Sequence, residues 1–276
     1  MAHDLHIAVI GAGAMGGAFI GGLLRQGIVT ADHLVATDTR AERRHELTEQ
    51  YGIAVIDDNA VAASKAQVVI VAVKPQVLPA VLPPLRGALR PGALCLSIVA
   101  GATTATFTDT LQHPEVVRSI PNTPAQIGEG MTVWTAAPAV TDEQMHWTRL
   151  VLGALGKEVC VENEGYLDMA TAINGSGPAY IFLMIEAMID AGVELGLPRP
   201  LAEQLVLQTM LGATRYTQES GQHPAALRNA VTSPGGTTAA GLRELERGGV
   251  RASLANAIRA AYQRSHELGA LQKKPD

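Results

Sequence analysis

The sequence predicts a doubly wound α/β domain followed by an all-helical domain, and two observations lead to this fold class. From residue 5 to about 162, short apolar runs rich in β-branched residues alternate with helical stretches. After Val161 these runs stop, and long helical patterns separated by glycine and proline take their place. Strands that alternate with helices are typical of a sheet covered by helices on both faces. We therefore expect an α/β domain at 1–163 and an all-α domain at 164–276.

The strand-like runs lack polar alternation, which is typical of strands buried on both faces of a parallel sheet. Eight segments have this character: His6–Ile10, Leu34–Thr37, Ala54–Ile56, Val68–Val73, Leu94–Val99, Val116–Ile120, Thr132–Thr135 and Glu158–Val161. Later segments repeat apolar residues at helical spacing. They predict helices at Glu164–Ile173, Tyr180–Leu195, Leu201–Glu219, Thr238–Glu246 and Arg251–Leu271. The apolar stripe of Tyr180–Leu195 indicates a face that packs in a core or in a subunit interface.

The composition indicates a well-buried globular protein. Of the 276 residues, 47% are hydrophobic and 17% are charged, a balance that supports a well-buried core. The net charge is −5, and the one basic cluster is Arg40, Arg43 and Arg44. An acidic chain of this kind is not expected to bind nucleic acid or an anionic membrane.

Three further features favour a cytoplasmic protein. The N-terminal sequence shows no signal-peptide pattern. The stretch Ala179–Leu197 approaches transmembrane length, but its three acidic residues would be costly in hydrocarbon, which favours a buried helix. Cys95 and Cys160 lie in apolar runs, so we expect two reduced core cysteines in a reducing compartment.

The first predicted strand runs directly into a glycine fingerprint of dinucleotide-binding proteins. Gly11, Gly13 and Gly16 follow the strand and open an apolar helix, which is the setting that the pattern requires. Gly11 permits a tight turn, Gly13 lets the backbone approach a pyrophosphate, and Gly16 allows close packing of helix and strand. Ala14 and Met15 begin the helix, where free N–H groups can bind a phosphate. We therefore predict a Rossmann-type nucleotide site.

The second predicted strand ends at Asp38, where Rossmann-type sites carry an acid that binds the ribose hydroxyls. Asp38 alone favours NAD, because a carboxylate repels the 2′-phosphate of NADP. Arg40, Arg43 and Arg44 follow closely, and they could bind that phosphate or form a solvated helix face. The sequence leaves NAD(H) and NADP(H) both open.

The loops after the fourth, fifth and sixth predicted strands should face the ligands, because ligands bind outside the carboxyl ends of the strands in such sheets. The fourth strand continues into Val73, Lys74 and Pro75. Lys74 is thereby directed toward cofactor or substrate, with an ordinary surface lysine as the alternative. The fifth strand exits through Ala100, and the sixth through segment 121–124, whose two flanking prolines predict a rigid loop at the site.

In the helical part, a glycine-rich turn precedes a predicted helix. The turn carries Ser233, Gly235, Gly236, Thr237 and Thr238. Consecutive backbone N–H groups of such a turn can bind an anion such as a carboxylate, and its hydroxyls can hydrogen-bond a ligand. A helix cap without a ligand is the alternative.

Several other chemistries find no support in the sequence. No lysine lies between Lys157 and Lys273, although hydroxyacid dehydrogenases of similar build commonly use a helical lysine as general acid. The eight histidines show no metal-ligand spacing, so we expect no metal. No nucleophile elbow of the G-x-S-x-G type is present.

Eight segments together carry a family resemblance: GAGAMG at 11–16, VKPQ at 73–76, PNTPA at 121–125, GSGPAY at 175–180, EAMIDAGVELGLPR at 186–199, HPAALR at 223–228, SPGGTT at 233–238 and RSHEL at 264–268. With these segments the chain resembles the pyrroline-5-carboxylate reductases over nearly its whole length. The two segments GSGPAY and SPGGTT, at this spacing, are the specific part of the resemblance, whereas the glycine fingerprint is common to many families.

The resemblance implies NAD(P)H-dependent reduction of Δ1-pyrroline-5-carboxylate to L-proline, the last step of proline biosynthesis, by hydride transfer to the C=N carbon. The SPGGTT turn would hold the substrate carboxylate, with Thr238 hydrogen-bonded to the ring nitrogen. Lys74 would take part in catalysis and Ala100 would contact the substrate. Asn59 corresponds to a position near the adenosine ribose. NADP(H) is the expected cofactor, with NAD(H) as the alternative.

The resemblance also implies an assembly. The helical domain of the family pairs two subunits, so we expect a homodimer or a larger ring of dimers, with a decamer as the expected ring. The long apolar helices agree, because the second domain is too small to bury them alone. Two other functions stay open, namely a reductase of another imine or of a β-hydroxyacid, and a non-catalytic dinucleotide-binding protein.

Overall fold

The computed structural model describes residues 5–272, in which eight strands form one sheet. The ends of the predicted domain ranges, 1–4 and 273–276, lie outside the described residues. The strands are β1 (Ile7–Ile10), β2 (Leu34–Thr37), β3 (Ala54–Ile56), β4 (Val68–Val71), β5 (Leu94–Ser97), β6 (Val116–Ile120), β7 (Gly130–Ala136) and β8 (Gly156–Cys160). Their order is β3-β2-β1-β4-β5-β6-β7-β8. All eight predicted strands are present, with ends moved by one or two residues.

The helices lie between and after these strands. They are α1 (Ala14–Arg25), α2 (Ala41–Tyr51), α3 (Asn59–Ser64), α4 (Leu78–Leu85), α5 (Thr104–Leu111), α6 (Asp142–Gly153), α7 (Gly165–Ala170), α8 (Gly177–Glu194), α9 (Arg199–Ser220), α10 (Pro224–Ala230), α11 (Thr237–Arg247) and α12 (Val250–Gln272). Local signals set several ends. A capping box of Thr141 and Gln144 begins α6, and Gly52, at φ +69°, ends α2.

The expectation of a parallel sheet is wrong at one junction. β7 pairs antiparallel with β6, with Val133 opposite Ile120, whereas every other pairing in the sheet is parallel. The connection from Pro121 to Glu129 is too short for a crossover to a parallel strand, which takes about a dozen residues or more. The chain instead reverses through a 3₁₀ turn at Thr123–Ile127. β8 follows the helical crossover of α6 and returns parallel to β7.

The sheet is covered on both faces, as the doubly wound fold requires. One apolar cluster buries Phe19 of α1 and Trp134 of β7, and the other buries Leu82 of α4 and Phe107 of α5. The central strands β1 and β4 are buried along their whole length. The predicted Rossmann-type sheet followed by a helical region is therefore confirmed. One cysteine differs from expectation, because Cys95 on β5 is buried but Cys160 on the edge strand β8 is exposed.

The chain forms two compact units, one of residues 5–176 together with 261–272, and one of residues 177–260. The first unit extends beyond the predicted domain boundary at 163 because α7 packs on the sheet. Leu167 of α7 is fully buried in a cluster with Ile120 and Val133. A π-helical turn at Thr171–Gly175 follows α7, where the sequence predicted one continuous helix. The second unit contains helices only.

The second unit buries little of its own apolar surface. Ile189 of α8 packs with Ala202 and Val206 of α9 in its small core. By contrast, many large apolar side chains of α8 and α9 are exposed in the single chain: Ile181, Phe182, Leu183, Met188, Leu201, Leu205, Leu207 and Leu211. By length and composition alone, the segment Gly165–Glu194 could cross a membrane. Only 11% of an apolar 18-residue stretch within it is buried in the structure. The predicted stripe on α8 is therefore not the core of its own chain.

Candidate active site

The loop after β1 has the geometry that a dinucleotide requires. Gly11 adopts φ +93°, and a Cβ there would lie 2.7 Å from Cγ1 of Val73. A Cβ on Gly16 would overlap the carbonyl oxygen of Gly11, so both glycines are needed to bring helix and strand together. The N–H groups of Gly11 and Ala12 donate to the carbonyl oxygen of Thr37 at 3.1 and 2.8 Å. The loop is thus fixed on β2.

The N-terminus of α1 is open for an anion. Gly13 is its N-cap, and no side chain caps it. The first-turn N–H groups of Ala14, Met15 and Gly16 have no acceptor within the helix, because an α-helix leaves its first donors unpaired. A Cβ on Gly13 would meet no atom of the described residues within 4 Å, so the space beside it is free. This arrangement fits a pyrophosphate at the helix N-terminus.

Asp38 follows β2 and is held by Arg40. The Asp38 carboxylate accepts from the backbone N–H of Arg40 at 2.9 Å, and from its Nε and Nη2 at 3.1 and 3.3 Å. Burial acts to raise the pKa of Asp38, but these hydrogen bonds and the Arg40 charge outweigh it, so the pKa lies below its usual value. The carboxylate is therefore ionised and paired, while Arg40 itself is largely exposed.

The two following arginines fix the surrounding loops. Arg43 donates from Nε to the carbonyl oxygen of Ala12 at 3.0 Å, which connects α2 to the phosphate loop. Arg44 donates to the carbonyl oxygens of Asp38 and Thr39 at 2.9 and 3.1 Å. One alternative was that these arginines form a solvated helix face. Instead, both donate hydrogen bonds to main-chain carbonyl oxygens near the nucleotide loop.

The remaining predicted cofactor residues lie at the same edge of the sheet. Asn59 begins α3, directly after the loop that follows β3. Val73, Lys74 and Pro75 follow β4, whose pairing ends at Val71, and a 3₁₀ turn starts at Pro75. Lys74 is exposed, and no ion pair of Lys74 occurs among residues 5–272. Its ammonium group is therefore available to a ligand.

The predicted substrate turn lies in the second unit, before α11. Ser233 accepts at its carbonyl oxygen from the N–H of Gly236 at 3.1 Å, and Gly235 adopts φ +68°. Pro234 at the second position and a left-handed glycine at the third are typical of a type II turn. The N–H of Gly236 is thereby used inside the turn, which the sequence did not indicate. A Cβ on Gly236 would lie 2.5 Å from Oγ of Ser233, so a side chain there would displace the Ser233 hydroxyl.

The turn leads into α11, whose first backbone N–H groups are free to donate hydrogen bonds. Gly236 is the N-cap of α11, and no side chain caps it. The N–H groups of Thr237 and Thr238, at the first two helical positions, have no acceptor in the preceding turn of the helix. Thr238 is half-buried and Thr237 is exposed. The turn therefore offers backbone donors and hydroxyls to an anion, as its composition suggested.

A pair of asparagines near the β6 exit was missed. Asn174, in the π-helical turn, donates from Nδ2 to the carbonyl oxygens of Met131 and Ile120 at 2.8 and 3.3 Å. Its Oδ1 accepts from Asn122 at 2.9 Å, and Asn122 Oδ1 accepts from the N–H of Met131 at 2.9 Å. The proline-flanked segment 121–124 is thus held rigidly. Proline spacing predicted a rigid loop but could not reveal this partner.

A buried charged cluster was missed as well. Arg118 lies within β6, is 1% exposed, and forms ion pairs with Glu164 and Asp168. The signal in the sequence is an arginine inside a run of strand residues, VVRSI, where a charge needs a partner. Within the described part of the chain, no group of three or more His, Cys, Asp or Glu side chains could hold a metal ion.

Two family models match separate parts of the chain. The model for pyrroline-5-carboxylate reductase dimerisation matches residues 164–268. The model described as NADP oxidoreductase, coenzyme F420-dependent, matches residues 6–101, which contain the nucleotide loop and Asp38. The helical region and the nucleotide-binding region thus match known families independently.

Full-length relatives join these two parts in one protein. A pyrroline-5-carboxylate reductase of Synechocystis sp. is 41% identical over 96% of this chain and 99% of its own length. The enzyme of that name from Pseudomonas aeruginosa is 43% identical over 95% of this chain and 96% of its own. The crystal structure of pyrroline carboxylate reductase from Plasmodium falciparum with NADP bound matches 98% of this chain and 100% of that chain, with a TM-score of 0.90 and 30% identity. The open cradle after β1, the SPGGTT turn and these relatives lead to one conclusion: the chain belongs to the pyrroline-5-carboxylate reductase family.

Proposed function

We propose that the protein reduces Δ1-pyrroline-5-carboxylate to L-proline with a reduced nicotinamide dinucleotide, as the last step of proline biosynthesis. The observation that carries this proposal is that the chain combines a preformed dinucleotide loop with an intact SPGGTT turn. Full-length relatives that bear the name of this activity support it, at 41% and 43% identity. The enzyme is thus an NAD(P)-dependent oxidoreductase that acts on a C=N bond.

The cofactor is NADP(H), with NAD(H) as an accepted alternative. When bound, the reduced nicotinamide supplies a hydride to the substrate carbon. The donors of Gly13, Ala14, Met15 and Gly16 hold the pyrophosphate at the N-terminus of α1. Bound NADP in the Plasmodium falciparum structure supports the choice of the phosphorylated form.

Residues beyond the phosphate loop select and position the dinucleotide. Asn59 contacts the adenosine ribose. Arg40 neutralises Asp38 and is exposed enough to reach a 2′-phosphate, so the Asp38–Arg40 pair tolerates NADP. Val73, Lys74 and Pro75 line the nicotinamide half, because the dinucleotide crosses the sheet where the strand order reverses between β1 and β4.

The SPGGTT turn holds the substrate through its carboxylate. Ser233, Gly235 and Thr237 offer backbone donors or hydroxyls, and Gly236, which has no side chain, leaves the Ser233 hydroxyl in its place. The hydroxyl oxygen of Thr238 accepts a hydrogen bond from the protonated ring nitrogen. A cyclic imine is basic enough to be protonated when it binds, so the chain needs no strong acid at this position. Catalysis then consists largely of positioning and of charge complementarity.

Lys74 and Ala100 act on the nicotinamide side of the substrate. Lys74 is an exposed cation beside β4, and its charge attracts the anionic substrate and the phosphates. Ala100 follows β5, where its backbone faces the reacting ring. Both roles follow from the carboxyl-end position of these loops.

The domain that starts at residue 164 serves dimerisation, and the protein works as a homodimer or as a decameric ring of dimers. The exposed apolar residues of α8 and α9 support this assembly, because a single chain leaves them in water. Burial in a subunit interface also accounts for the apolar segment Gly165–Glu194 without a membrane, since it contains Glu186, Asp190 and Glu194. With Cys95 and Cys160 unbridged, the protein fits the reducing cytoplasm, and we propose neither membrane nor nucleic-acid partners.

The test is the initial rate of NADPH and NADH oxidation with and without Δ1-pyrroline-5-carboxylate. We expect rapid substrate-dependent oxidation, faster with NADPH, and proline as the product. A six-membered cyclic imine with a carboxylate serves as the matched alternative substrate. Preference for that compound would make the protein a different imine reductase. If the protein binds the dinucleotide but neither substrate causes its oxidation, the protein is a binding protein and the proposed function is excluded.

A further inference from the structure

The ionic cluster of the buried Arg118 with the partly exposed Glu164 and Asp168, here called the Arg118 cluster, connects distant segments of the first unit. Arg118 donates from Nη1 to Glu164 at 3.1 Å and from Nη2 to Asp168 at 2.8 Å. The arginine comes from β6, whereas Glu164 precedes α7 and Asp168 lies within it. One guanidinium thus carries two carboxylates, and the excess negative charge calls for further donors.

Those donors come from two other elements. Thr104, the first residue of α5, gives Glu164 its backbone N–H at 2.8 Å and its hydroxyl at 2.9 Å. Ser265, on the last part of α12, donates its hydroxyl to Asp168 at 3.1 Å and is 4% exposed. Both donors are uncharged and short, so each fixes its own backbone closely to a carboxylate. The cluster therefore joins the start of α5 to the end of α12 through Arg118.

The same two elements also touch directly. Gly101, in the loop between β5 and α5, adopts φ +78°, and a Cβ there would lie 3.1 Å from the backbone nitrogen of Gly269. In return, a Cβ on Gly269 would lie 3.1 Å from the carbonyl oxygen of Gly101. The backbone of α12 thus rests on the loop that carries Ala100. Two independent contacts, one polar and one steric, hold this loop.

The loop occupies a position that matters for the reaction. It follows β5, the neighbour of β4, on the side of the reversal point that is opposite to β1, β2 and β3. A dinucleotide that spans this point places its adenosine on β1–β3 and its nicotinamide toward β4 and β5. The backbone at Ala100 and Gly101 therefore faces the reacting ring rather than the adenosine.

We propose that Arg118 is a positioning residue that, through Glu164 and Asp168, holds the β5–α5 loop and the end of α12 in register beside the nicotinamide. The inference rests on the proposed function, because only a bound nicotinamide gives the position of this loop a chemical consequence. Arg118 touches neither cofactor nor substrate in this scheme. It acts on the distance between the loop backbone and the reacting atoms.

The geometry favours positioning over simple stabilisation. A buried ion pair adds little stability compared with well-packed apolar residues of the same volume. Moreover, Nε of Arg118 is buried and has no hydrogen-bond partner among the described residues, which a cluster shaped for stability alone would avoid. What the cluster does achieve is a fixed geometry between four segments of chain that are far apart in sequence.

The experiment removes the two hydroxyl donors and keeps Arg118, its carboxylates and the backbone N–H of Thr104 intact. Thr104→Val deletes one hydroxyl at nearly constant volume, and Ser265→Ala deletes the other. The double variant tests whether the two donors, which lie on different elements, act through the same arginine. Ser253→Ala is the control, because Ser253 is an exposed serine on the same helix α12 and lies outside the cluster.

We expect each single variant to lower kcat roughly tenfold, within the hundredfold that a displacement of about 1 Å can cost. The Kd for NADPH should stay within about twofold, since the adenosine half binds on the other strands. The double variant should lose less than the product of the single losses, because the first deletion already releases the loop. Three outcomes would each overturn the proposal. In the first, the single variants lose no more kcat than Ser253→Ala does. In the second, kcat and NADPH affinity fall equally, and in the third, the loss of the double variant equals the product of the two single losses.

A second readout separates this inference from the proposed function. The fluorescence of the reduced nicotinamide reports the surroundings of the ring in the binary complex, without any substrate. We expect Thr104→Val and Ser265→Ala to shift this emission at saturating NADPH, and Ser253→Ala to leave it unchanged. If wild-type protein fails to reduce Δ1-pyrroline-5-carboxylate, the proposed function falls, and the emission shift alone still decides whether the cluster positions the ring. Unchanged emission in both variants would refute the positioning role.

Discussion

Asp38 and Arg40 form an ion pair whose two members should have opposite effects on cofactor choice. Because the pKa of Asp38 lies below its usual value, the pair contributes stability above the unfolded pKa of about 4, and this stability is lost as the pH falls through the lower folded value. At neutral pH the carboxylate is therefore ionised, and we expect the charge of Arg40 to make a 2′-phosphate acceptable beside it.

Arg40→Ala should shift the preference toward NADH. The freed Asp38 carboxylate repels the 2′-phosphate and accepts from the ribose hydroxyls instead. We expect kcat/KM for NADPH to fall about fivefold, as for one exposed charge pair, while kcat/KM for NADH holds or rises. Steady-state kinetics with both cofactors measure the ratio, and Arg86→Ala, an exposed arginine at the end of α4, is the matched control. An unchanged ratio would mean that the pair does not select the cofactor.

Thr238 should matter for turnover and not for cofactor binding. Thr238→Ala removes a hydroxyl from the substrate turn and leaves the backbone donors of the turn in place. If its hydroxyl bonds a charged imine, kcat should fall roughly 10- to 100-fold, the loss expected for a hydrogen bond to a charged group. Stopped-flow or steady-state rates together with NADPH titration check this. Full activity would make Thr238 structural, and Thr108→Ala on α5 controls for loss of a helical threonine hydroxyl.

At the scale of the element, the β1–α1 junction offers two glycines with opposite expectations. Gly13→Ala adds a methyl group to free space, so the melting temperature should hardly change. The same methyl group occupies the space of the pyrophosphate, and a steric cost of about 1–3 kcal/mol should weaken NADPH binding roughly 5- to 150-fold.

Gly16→Ala is the partner variant, because its methyl group would overlap the carbonyl oxygen of Gly11. We expect this variant to lose stability and NADPH affinity together. Calorimetry and NADPH titration of both variants make the comparison. Equal destabilisation by the two substitutions would contradict the assignment of Gly13 to the ligand and Gly16 to packing.

The strands β5 and β8 place the two cysteines in different surroundings. Burial raises the pKa of Cys95 to about 12, so its thiol stays neutral and unreactive in the folded protein. Cys160 is exposed on the edge strand. A thiol-specific disulfide reagent should therefore modify one cysteine in the native protein and two after unfolding. Cys160→Ser should abolish the native reaction, and a fast reaction of Cys95 would show that the centre of the sheet opens.

The sequence predicted where the strands lie but not the direction in which each strand runs. Runs such as VVIV predict burial on both faces, and burial is the same for a parallel or an antiparallel neighbour. The reversal at β7 depends on the length of the loop after Ile120, a feature that apolar periodicity does not encode. The nucleotide loop was predictable because its glycines are required by backbone geometry that is local in sequence.

The partners of charged side chains were not predictable. Even for near neighbours such as Asp38 and Arg40, the spacing does not reveal whether the arginine pairs with the carboxylate or faces solvent. Arg118 finds Glu164 and Asp168 only after the fold brings α7 onto the sheet. An isolated arginine in a buried strand indicates that a partner exists without identifying it.

At the scale of the whole molecule, the exposed apolar faces of α8 and α9 predict an oligomer. Leu183 is 65% exposed in the single chain. Leu183→Arg should place a charge in the interface and shift the protein toward the 28.9-kDa monomer, with a lower melting temperature that depends on concentration. Analytical ultracentrifugation measures the mass. Ile127→Arg, at another exposed apolar residue, should keep the wild-type mass, and an unchanged mass for Leu183→Arg would exclude this face.

The first compact unit is discontinuous, since the chain leaves it after Ser176 and returns to it at residue 261. A polypeptide cut at residue 163 would contain the whole glycine fingerprint, yet it would lack Glu164, Asp168 and Ser265. Its Arg118 would then lose both carboxylate partners, and the part of the sheet that α7 covers would be exposed to water, which is unfavourable. We therefore expect that the N-terminal half does not mature as an independent nucleotide-binding protein, because its compact unit is complete only when the last helix of the chain has been synthesised.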